Sequence, residues 1–231
     1  MRKQINRIAT LFFVTVLGPA WTIAFAELPD PVADGARYFD TMTIAGDRNF
    51  LHGIPPVHTN GMVNVVVENP AGSDAKWEVS KPNGLLQLEI RNGRPHVVQY
   101  LPYPGNYGMV PRTVLPKEAG GDGGPLGVLV LGHWVRRGSV MPVKLIGVLK
   151  LLDNGEQDDT LLAVPAVGPL SQVKNVKELD ASHPGVTQII ETWFTNYKGP
   201  GKVKFLGFAN PESAQKILDI AIKAYQASKK K

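Results

Sequence analysis

Apolar and polar positions in the central part of the chain follow the two-residue repeat of β-strands or form short apolar runs. Residues 62–68 are apolar almost throughout, which predicts a strand buried on both faces. Residues 85–90 alternate, and Asn92 followed by Gly93 predicts a tight hairpin turn directly after them. Further predicted strands cover residues 76–79, 97–101, 128–131, 140–151 and 161–164. Closely spaced strands separated by Gly and Pro turns indicate a barrel or a sandwich.

Two helices are predicted near the C-terminal end, where apolar residues recur at intervals of three and four. The first opens at Pro184, and its apolar stripe runs to Tyr197, before the turn at residues 199–201. Asn210 predicts the N-cap of the second helix, which covers residues 211 to about 227. The pattern by itself therefore gives an α+β class in which strands come first and helices last.

The first 26 residues have the pattern of a secretory signal peptide. A basic start precedes an apolar run over residues 8–17, and Ala24, Phe25 and Ala26 form a small-x-small cleavage site. A membrane anchor is the alternative, but the run is short and is followed by glycine and proline, which argues against it. We therefore expect an exported protein, periplasmic or extracellular, with no stable membrane span after cleavage.

The exported chain is expected to have two parts. Residues 27–48 mix charges with glycines and prolines, which indicates a linker or N-terminal extension. Residues 49–231 are expected to form one domain, of a size that can bury a core.

Charge and cysteine content narrow the classes of function. The whole chain has a formal net charge of +5, but residues 1–26 carry three of the 25 basic residues and no acid, so the remainder stands at +2. The three lysines at residues 229–231 supply more than this excess, and a near-neutral body does not predict nucleic-acid binding. The chain has no cysteine, which excludes disulfides, zinc-thiolate sites and thiol nucleophiles.

One acidic residue, Asp122, lies in a glycine-rich loop just before the predicted strand at residues 128–131. The loop is not a phosphate-binding P-loop, because no Lys-Ser or Lys-Thr pair follows the glycines. It resembles instead the Asp-x-Asp-Pro-x-Asp signature of the family I soluble inorganic pyrophosphatases, with Asp122, Pro125 and the strand in place. Gly124 and Gly127 stand where that signature has its second and third aspartates.

Further segments are similar to the same family and follow the family's order. They are residues 65–70, 74–79, 103–108, 146–158 and 193–198. The resemblance covers roughly residues 50–208 and is more specific than any single motif. It implies an α+β, mainly β fold, namely an OB-fold-like five-stranded barrel with two C-terminal helices packed outside. It also implies magnesium-dependent hydrolysis of inorganic diphosphate to two phosphates, and a homo-oligomer.

The resemblance also assigns roles to individual residues. Metal binding falls to four carboxylates, which are Asp122, Asp153, Asp158 and Glu68. Phosphate binding falls to Lys76, Tyr107, Tyr197, Lys198 and one arginine, taken as Arg94 with Arg91 as the alternative, and Glu78 has a supporting role. The expected cofactor is Mg²⁺, or Mn²⁺ in its place, at fewer sites than in the family.

The same residues also suit ordinary structural roles when they are taken without the family. Asp153 and Asp158 flank a predicted turn at Asn154 and Gly155, where acids are common. Tyr197 fits the apolar stripe of its helix and could belong to the core. Only the joint match favours a binding site.

Three departures from the family pattern bear on catalysis. By resemblance, Gly127 replaces the carboxylate that bridges two metals, Gly124 replaces the acid that helps to deprotonate the attacking water, and Thr160 replaces a phosphate-binding lysine. Loss of a general base typically costs about 10²- to 10⁴-fold in rate. We therefore expect an inorganic diphosphatase of weak or altered activity.

Two other classes of function stay open on the sequence. A pseudoenzyme would bind pyrophosphate, another phosphorylated small molecule or a divalent metal without turnover, since the phosphate-binding positions are retained where the water-activating positions are glycine. A scaffold or interaction protein would use the barrel only as a frame, which the unmatched residues before 50 and the lysine tail suggest.

Cleavage after Ala26 should give an exported protein that begins at Glu27. Replacing both Ala24 and Ala26 by phenylalanine removes the small side chains that define the cleavage site, so the uncleaved precursor should accumulate. Intact-mass spectrometry of the exported protein measures its N-terminus. An exported protein that keeps residues 1–26, or a variant that is processed normally, would contradict the assignment.

Overall fold

The computed structural model describes residues 30–229, in which all but one of the strands precede the α-helices. In chain order the strands are β1 Ala36–Asp40, β2 Thr43–Gly46, β3 Val63–Asn69, β4 Trp77–Val79, β5 Leu86–Leu88, β6 Ile90–Arg91, β7 Arg94–Pro95, β8 Asn106–Met109, β9 Gly127–Val130, β10 Val140–Asp153, β11 Glu156–Gln157, β12 Thr160–Pro165 and β13 Val203–Ala209. The helices are α1 Val176–Ser182, α2 Val186–Asn196 and α3 Pro211–Ser228, and a 3₁₀ turn covers Lys117–Ala119. The predicted signal peptide and the last two lysines lie outside the described residues. None of the helices within residues 30–229 has the length and apolar character needed to cross a membrane.

Five strands form a closed circuit. β10 pairs with β12, β12 pairs in parallel with β9, and β9 continues through β8 to β3. β3 returns to the first part of β10, where residues 140–143 lie opposite residues 63–66, and this pairing closes the barrel. The predicted five-stranded barrel is therefore confirmed. All of β3 is buried, as its continuous apolar run predicted.

β10 holds the barrel together because its 14 residues are enough to meet several partners in turn. It pairs with β3 at its start, with β12 in its middle and with β13 and β11 at its end. The register shifts between Leu145 and Gly147, and a bulge of this kind bends a strand. Gly147 has no room for a side chain, since a Cβ there would lie 2.7 Å from the Ala209 carbonyl oxygen of β13.

Alternation along the barrel strands divides the core into two clusters. In β9, Val128 and Val130 belong to the cluster that includes Leu218 of α3. Leu129, between them, belongs to the cluster that includes Leu179 of α1 and the buried face of α2. Burial of each such side chain contributes about 1.5–3 kcal/mol, so both sides of the strands stabilise the barrel and its helices. The prediction of helices packed outside a barrel is confirmed.

The N-terminal extension differs from the linker expected over residues 27–48, because residues 36–46 form the β1–β2 hairpin. β2 pairs with β5, which joins the hairpin to β4. Ile44 is fully buried in a cluster with Phe50 and Trp77. Most of the hairpin's other side chains are only partly buried or exposed, so the sequence shows too few core positions to reveal its alternation.

Other strands also lie where none was predicted, and the longest of them are β8 and β13. β8 lies among the prolines and glycines of residues 102–116, and β13 lies between the two predicted helices. Gly108 of β8 lies so close to β3 that a Cβ would overlap the Val66 carbonyl oxygen, and a strand containing glycine has no clear apolar pattern. Conversely, residues 97–101 form no strand, and Val97 makes only an isolated bridge to Ala75.

The helix prediction is right for α2 and α3 and incomplete for α1. Asn210 caps α3 as predicted, since its side chain accepts a hydrogen bond from the Ser213 N–H. α2 begins at Val186, slightly later than Pro184 suggested. α1 was missed because its seven residues bury only Leu179, which leaves no apolar stripe to detect.

Replacing Asn69 by alanine should lower the free energy of unfolding by about 2 to 4 kcal/mol. Asn69 is fully buried on β3, donates a 3.0 Å hydrogen bond to the Trp77 carbonyl oxygen and accepts a 2.8 Å bond from the Trp77 N–H. The change would leave the Trp77 N–H and the Trp77 carbonyl oxygen of β4 without hydrogen-bond partners. Urea unfolding measures the difference.

Asn60→Ala is the matched control, because the exposed Asn60 side chain makes only a local 3.1 Å hydrogen bond with the Met62 N–H. Its cost should be about 0.5 kcal/mol. Equal losses for the two variants would show that Asn69 does not hold β3 and β4 together.

Candidate active site

A cavity of about 300 Å³ lies where β3, β4, β8 and α2 meet the loop before β9 and the turn between β10 and β12. All but one of the predicted binding residues line it, namely Glu68, Lys76, Glu78, Tyr107, Asp122, Asp153, Asp158, Tyr197 and Lys198. The three departure positions also line it, namely Gly124, Gly127 and Thr160. Segments far apart in the chain therefore converge on one polar pocket.

Lys76 enters the cavity from the segment that leads into β4. Its Nζ lies 2.5 Å from Glu78 Oε1 and 3.1 Å from Glu89 Oε2. Burial lowers the pKa of Lys76, but the two carboxylates outweigh burial and hold the pKa above its ordinary value. The ammonium group is therefore charged at neutral pH and held in place by its partners.

Glu68 is a buried carboxyl group on β3, with 7% of the residue exposed. Its Oε1 accepts a 2.7 Å hydrogen bond from the Val79 N–H of β4. Burial raises the pKa of Glu68 to about 8, although the Val79 hydrogen bond and the Lys76 ammonium oppose the rise. At pH 7 this carboxyl is mostly protonated, and a cation bound nearby would favour the ionised form.

Three aspartates come together from separate segments of the chain. Burial raises the pKa of Asp158, Lys198 opposes the rise, and Asp122 and Asp153 add to it. Lys198 Nζ lies 2.5 Å from Asp153 Oδ2 and offsets part of this crowding.

Carboxylates crowded in this way fit a divalent cation such as Mg²⁺, which takes oxygen ligands and usually keeps several waters. Within residues 30–229, no three acidic or histidine side chains are close enough to enclose an ion by themselves. The aspartates therefore suit a cation that is also bound by water or by substrate oxygens.

Aromatic rings form one wall of the cavity. Tyr197 stacks on Trp193 with ring centroids 4.4 Å apart, and Trp193 lies 4.8 Å from Tyr103. Tyr197 thus packs with the aromatic residues of α2 and also lines the cavity, so a place in the core and a place at the site are compatible. Burial raises the pKa of Tyr107 well above its ordinary value, and Asp158 adds to the effect. The Tyr107 hydroxyl therefore stays protonated and can donate a hydrogen bond.

Comparison with known proteins identifies the family. A family model described as inorganic pyrophosphatase matches residues 65–226. The inorganic pyrophosphatase of Helicobacter pylori strain J99 is 37% identical over 174 residues, which cover 73% of this chain and 94% of that protein. The chain belongs to the inorganic pyrophosphatase family.

Solved structures of inorganic pyrophosphatases share the fold. The structure from Helicobacter pylori superposes with a TM-score of 0.64 at 34% identity, covering 75% of this chain and 98% of that one. The structure from Schistosoma japonicum gives a TM-score of 0.74 at 25% identity and covers 86% of this chain and 79% of that one. The family resemblance and the barrel predicted from the sequence are confirmed.

At Gly124, the first departure from the family signature, a lysine lies beside the missing side chain. A Cβ on Gly124 would lie 3.2 Å from Lys81 Nζ and 2.7 Å from Asp122 Oδ1. Asp122 Oδ1 also accepts a 2.7 Å hydrogen bond from the Gly124 N–H, which fixes the loop. Where the family pattern has an acidic side chain at residue 124, this chain has a glycine with the Lys81 ammonium group beside it.

At Gly127, the second departure, a tyrosine fills the space. A Cβ on Gly127 would lie 2.6 Å from Tyr107 Oη. The Tyr107 ring packs against Tyr103 and Phe194, with centroids 5.7 and 6.5 Å away, so it has little freedom to withdraw. The absence of a side chain at residue 127 is therefore matched to the position of the Tyr107 hydroxyl.

Arg94 is the predicted site residue that does not line the cavity. It lies exposed on β7, opposite Arg91 of β6, where the Asn92 and Gly93 turn has the positive φ angles expected of a tight hairpin. The hairpin carries both arginines away from the pocket. Of the two arginines, Arg91 is the one linked to a residue of the cavity. Its Nε forms an ion pair with Glu89, and Glu89 also forms an ion pair with Lys76.

Sequence reasoning missed two residues that line the cavity beside the reactive positions. Tyr103 belongs to a segment matched to the family, so its position carried a signal that could have been used. Lys81 follows β4 in an exposed loop, and its approach to Gly124 depends on how that loop lies against residues 122–125. No pattern in the sequence indicates it.

Replacing Glu68 by a residue that cannot ionise should change how the free energy of unfolding of the metal-free protein depends on pH. A carboxyl whose pKa rises from 4.5 to about 8 on folding keeps its proton in the folded chain after the unfolded chain has lost it. The free energy of unfolding should therefore fall as pH rises from about 4.5 to about 8, by at most about 1.4 kcal/mol per pH unit from this group.

Glu68→Gln should lack this component, because the amide still accepts the Val79 hydrogen bond and cannot ionise. Urea unfolding at several pH values in the presence of a chelator gives both curves. Parallel curves for the native protein and the variant would rule out a raised pKa at Glu68.

Proposed function

We propose that this protein hydrolyses inorganic diphosphate to two phosphates in a Mg²⁺-dependent reaction with reduced turnover. The main support is that nine residues assigned from the family pattern line one cavity. Membership of the inorganic pyrophosphatase family supports the same reaction.

The cationic and hydroxyl groups of the cavity are suited to bind a phosphate chain. Lys76 and Lys198 provide ammonium groups that make charge-assisted hydrogen bonds to phosphate oxygens. Tyr107 and Tyr197 provide hydroxyl groups whose raised pKa values keep them as donors. Because Lys76 and Lys198 are already held by Glu78 and Asp153, little side-chain entropy is lost when the substrate binds.

Asp122, Asp153 and Asp158 are the residues that would hold Mg²⁺ or Mn²⁺, with Glu68 near by. A bound divalent ion supplies neutralisation of phosphate charge and lowers the pKa of a coordinated water. The number of ions is expected to be lower than in the family pattern, because Gly124 and Gly127 offer no carboxylate.

Reduced turnover follows from the same two glycines. Neither residue can accept a proton from the attacking water, and the Lys81 ammonium beside Gly124 cannot act as a base while protonated. Loss of a general base costs about 10²- to 10⁴-fold in rate. Phosphate binding is retained in this arrangement, while activation of the water is weakened.

The proposal is tested with protein that begins at Glu27, assayed for phosphate release from pyrophosphate with Mg²⁺ or Mn²⁺. We expect slow turnover above the blank that contains metal but no protein, and loss of turnover when a chelator is added. Absence of turnover with both metals would overturn the proposed hydrolysis.

Gly124→Asp should raise kcat by about 10-fold or more, because it restores a carboxylate beside the water-binding side of the cavity. The atoms nearest to a Cβ on Gly124 belong to the ends of the Asp122 and Lys81 side chains rather than to backbone, so the substitution requires those side-chain ends to shift. The full 10²- to 10⁴-fold is not expected, since the Lys81 ammonium would lower the basicity of the new acid.

Gly124→Asn is the matched control, since asparagine has the size of aspartate and no basic oxygen. It should leave kcat unchanged or lower it. Equal effects of the two substitutions, or no rise with aspartate, would show that the missing acid does not limit the rate.

The second candidate function is binding without turnover, which the position of Lys81 favours. An ammonium group at the place of a base strengthens anion binding and removes proton abstraction. Calorimetry with pyrophosphate in the presence of Mg²⁺ separates the two functions when it is combined with the turnover assay. A heat of binding without turnover supports the non-catalytic binding protein. If neither a heat of binding nor turnover is measured, this second function is excluded.

Export and self-association complete the proposal. Export rests on the signal-peptide pattern of residues 1–26, and a homo-oligomer rests on the family resemblance.

A further inference from the structure

A second cavity of about 150 Å³ lies next to the first. Lys81 and Pro125 line both cavities, so one lysine and the loop before β9 separate the two spaces. Its other polar side chains are those of His52 and Thr113 and, at the end of α3, those of Tyr225, Ser228 and Lys229. None of these residues belongs to the set assigned to pyrophosphate binding.

Positive groups gather around this second cavity. Lys81, Lys229 and the His52 imidazole line it directly, and Arg112 lies against His52, since its Nε donates a 2.8 Å hydrogen bond to the His52 carbonyl oxygen. Lys229 Nζ also lies 5.5 Å from the centre of the Tyr225 ring, which holds the ammonium over the aromatic face. Three segments of the chain thus contribute a lysine or arginine side chain to this place, and a fourth contributes the His52 imidazole.

The second cavity itself has no acidic lining residue. Within residues 30–229, no Asp or Glu lines it, and the side chains of His52, Lys81, Arg112 and Lys229 have no carboxylate oxygen within 4.0 Å. Asp122 of the main cavity is nevertheless near Lys81, because its Oδ1 and Lys81 Nζ lie 2.7 and 3.2 Å from the same Cβ position on Gly124. Burial lowers the pKa of His52, and Lys229 and Arg112 lower it further, as expected of like charges without a counter-ion. An anion placed here would relieve this repulsion.

The Arg112 segment is held against the His52 segment. Arg112 has a φ of +52°, which is uncommon for a residue other than glycine. Its N–H donates a 2.9 Å hydrogen bond to the Leu51 carbonyl oxygen. The guanidinium group lies near the cavity through its own Nε bond to the His52 carbonyl oxygen.

Two hydroxyl groups at the end of α3 hold the lining side chains in place. The Tyr225 hydroxyl lies 2.7 Å from His52 Nδ1 and restrains the imidazole, whose Nε2 makes no hydrogen bond within residues 30–229. The Ser228 hydroxyl donates its proton to the Tyr225 carbonyl oxygen at 2.8 Å, so it is not available to a ligand. The groups left to bind phosphate oxygens are the lysine ammonium groups and the imidazole Nε2.

We propose that the second cavity binds a phosphate-type oxyanion and that Lys81 is shared between the two cavities. Lys81 Nζ lies 3.2 Å from the position of a Cβ on Gly124, on the side of the main cavity, while its side chain also lines the second cavity. An anion in the second cavity draws this ammonium away from a pyrophosphate in the first. Phosphate, which diphosphate hydrolysis releases, can thereby oppose substrate binding without entering the main cavity.

Proton NMR of the histidine side chains tests binding at this place directly, with protein from Glu27 onward and without Mg²⁺ or pyrophosphate. Inorganic phosphate should raise the pKa of the His52 imidazole by about one pH unit, because a nearby anion stabilises the charged ring. The His52 signal is assigned by its loss in His52→Gln, and the exposed His58 serves as the internal reference. A His52 pKa that saturating phosphate does not move would overturn the proposal.

Lys229→Gln should weaken phosphate binding at His52 by about 10-fold, since one charge-assisted contact is lost. Lys223→Gln is the matched control, because Lys223 is exposed on the same helix and does not line the cavity. Lys198→Gln, which changes the main cavity, should leave the His52 response intact. Loss of the response in Lys198→Gln, or equal losses in Lys229→Gln and Lys223→Gln, would place the phosphate elsewhere and refute the second site.

Lys81→Gln tests the sharing of the lysine. Lys81→Gln should weaken both the His52 pKa response to phosphate and the affinity for pyrophosphate measured by calorimetry. Lys229→Gln should weaken only the His52 response. If Lys81→Gln changed the His52 response alone, or the pyrophosphate affinity alone, Lys81 would not be shared between the two cavities.

The source of the phosphate group is distinguished by a second titration with glycerol 3-phosphate. A His52 response to inorganic phosphate alone identifies the free anion as the ligand, and an equal response to both identifies the phosphate group of an organic monophosphate. Because these measurements need no turnover, they hold or fail independently of the proposed hydrolysis.

Discussion

The pairing of β3 with the first part of β10 is the interaction on which the rest of the structure depends. It closes the barrel, and it gives β3 a hydrogen-bonded neighbour on both edges, β8 on one and β10 on the other. β3 carries Glu68 and, through Asn69, positions the segment that holds Lys76. The far end of β10 carries Asp153 to the opposite wall of the cavity. One long strand thereby sets the distance between the two walls of the site.

Charge in the main cavity differs from the pattern that the family resemblance gives. Gly124 and Gly127 stand at two of the pattern's carboxylate positions, so the proposed metal site has fewer ligands. Lys81 contributes an ammonium group that the pattern does not include, and Thr160 stands where the pattern has a lysine. Positive charge therefore lies nearer the loop before β9 than in the pattern. Under the proposed function, this arrangement favours the binding of phosphate over the activation of water.

The sequence predicted the barrel well because the barrel strands bury continuous or alternating apolar residues, which are local signals. It predicted nine of the ten assigned site residues to be close together because the family motif carries information about long-range geometry. The predicted place of Arg94 in the cavity was wrong, because the direction in which a hairpin runs depends on packing and not on the residues at its turn. Lys81 and the second cavity were invisible because they arise where loops meet the end of α3. The β1–β2 hairpin was missed because its apolar contribution is nearly confined to Ile44.

The contact between Gly127 and Tyr107 also couples two sides of the main cavity. A Cβ on residue 127 would lie 2.6 Å from the Tyr107 hydroxyl oxygen, so a side chain introduced there requires that hydroxyl to shift. The Tyr107 ring packs against Tyr103 and Phe194, so the shift would also displace the aromatic wall. A carboxylate added at residue 127 therefore changes the position of a hydroxyl donor as well as the number of acidic groups.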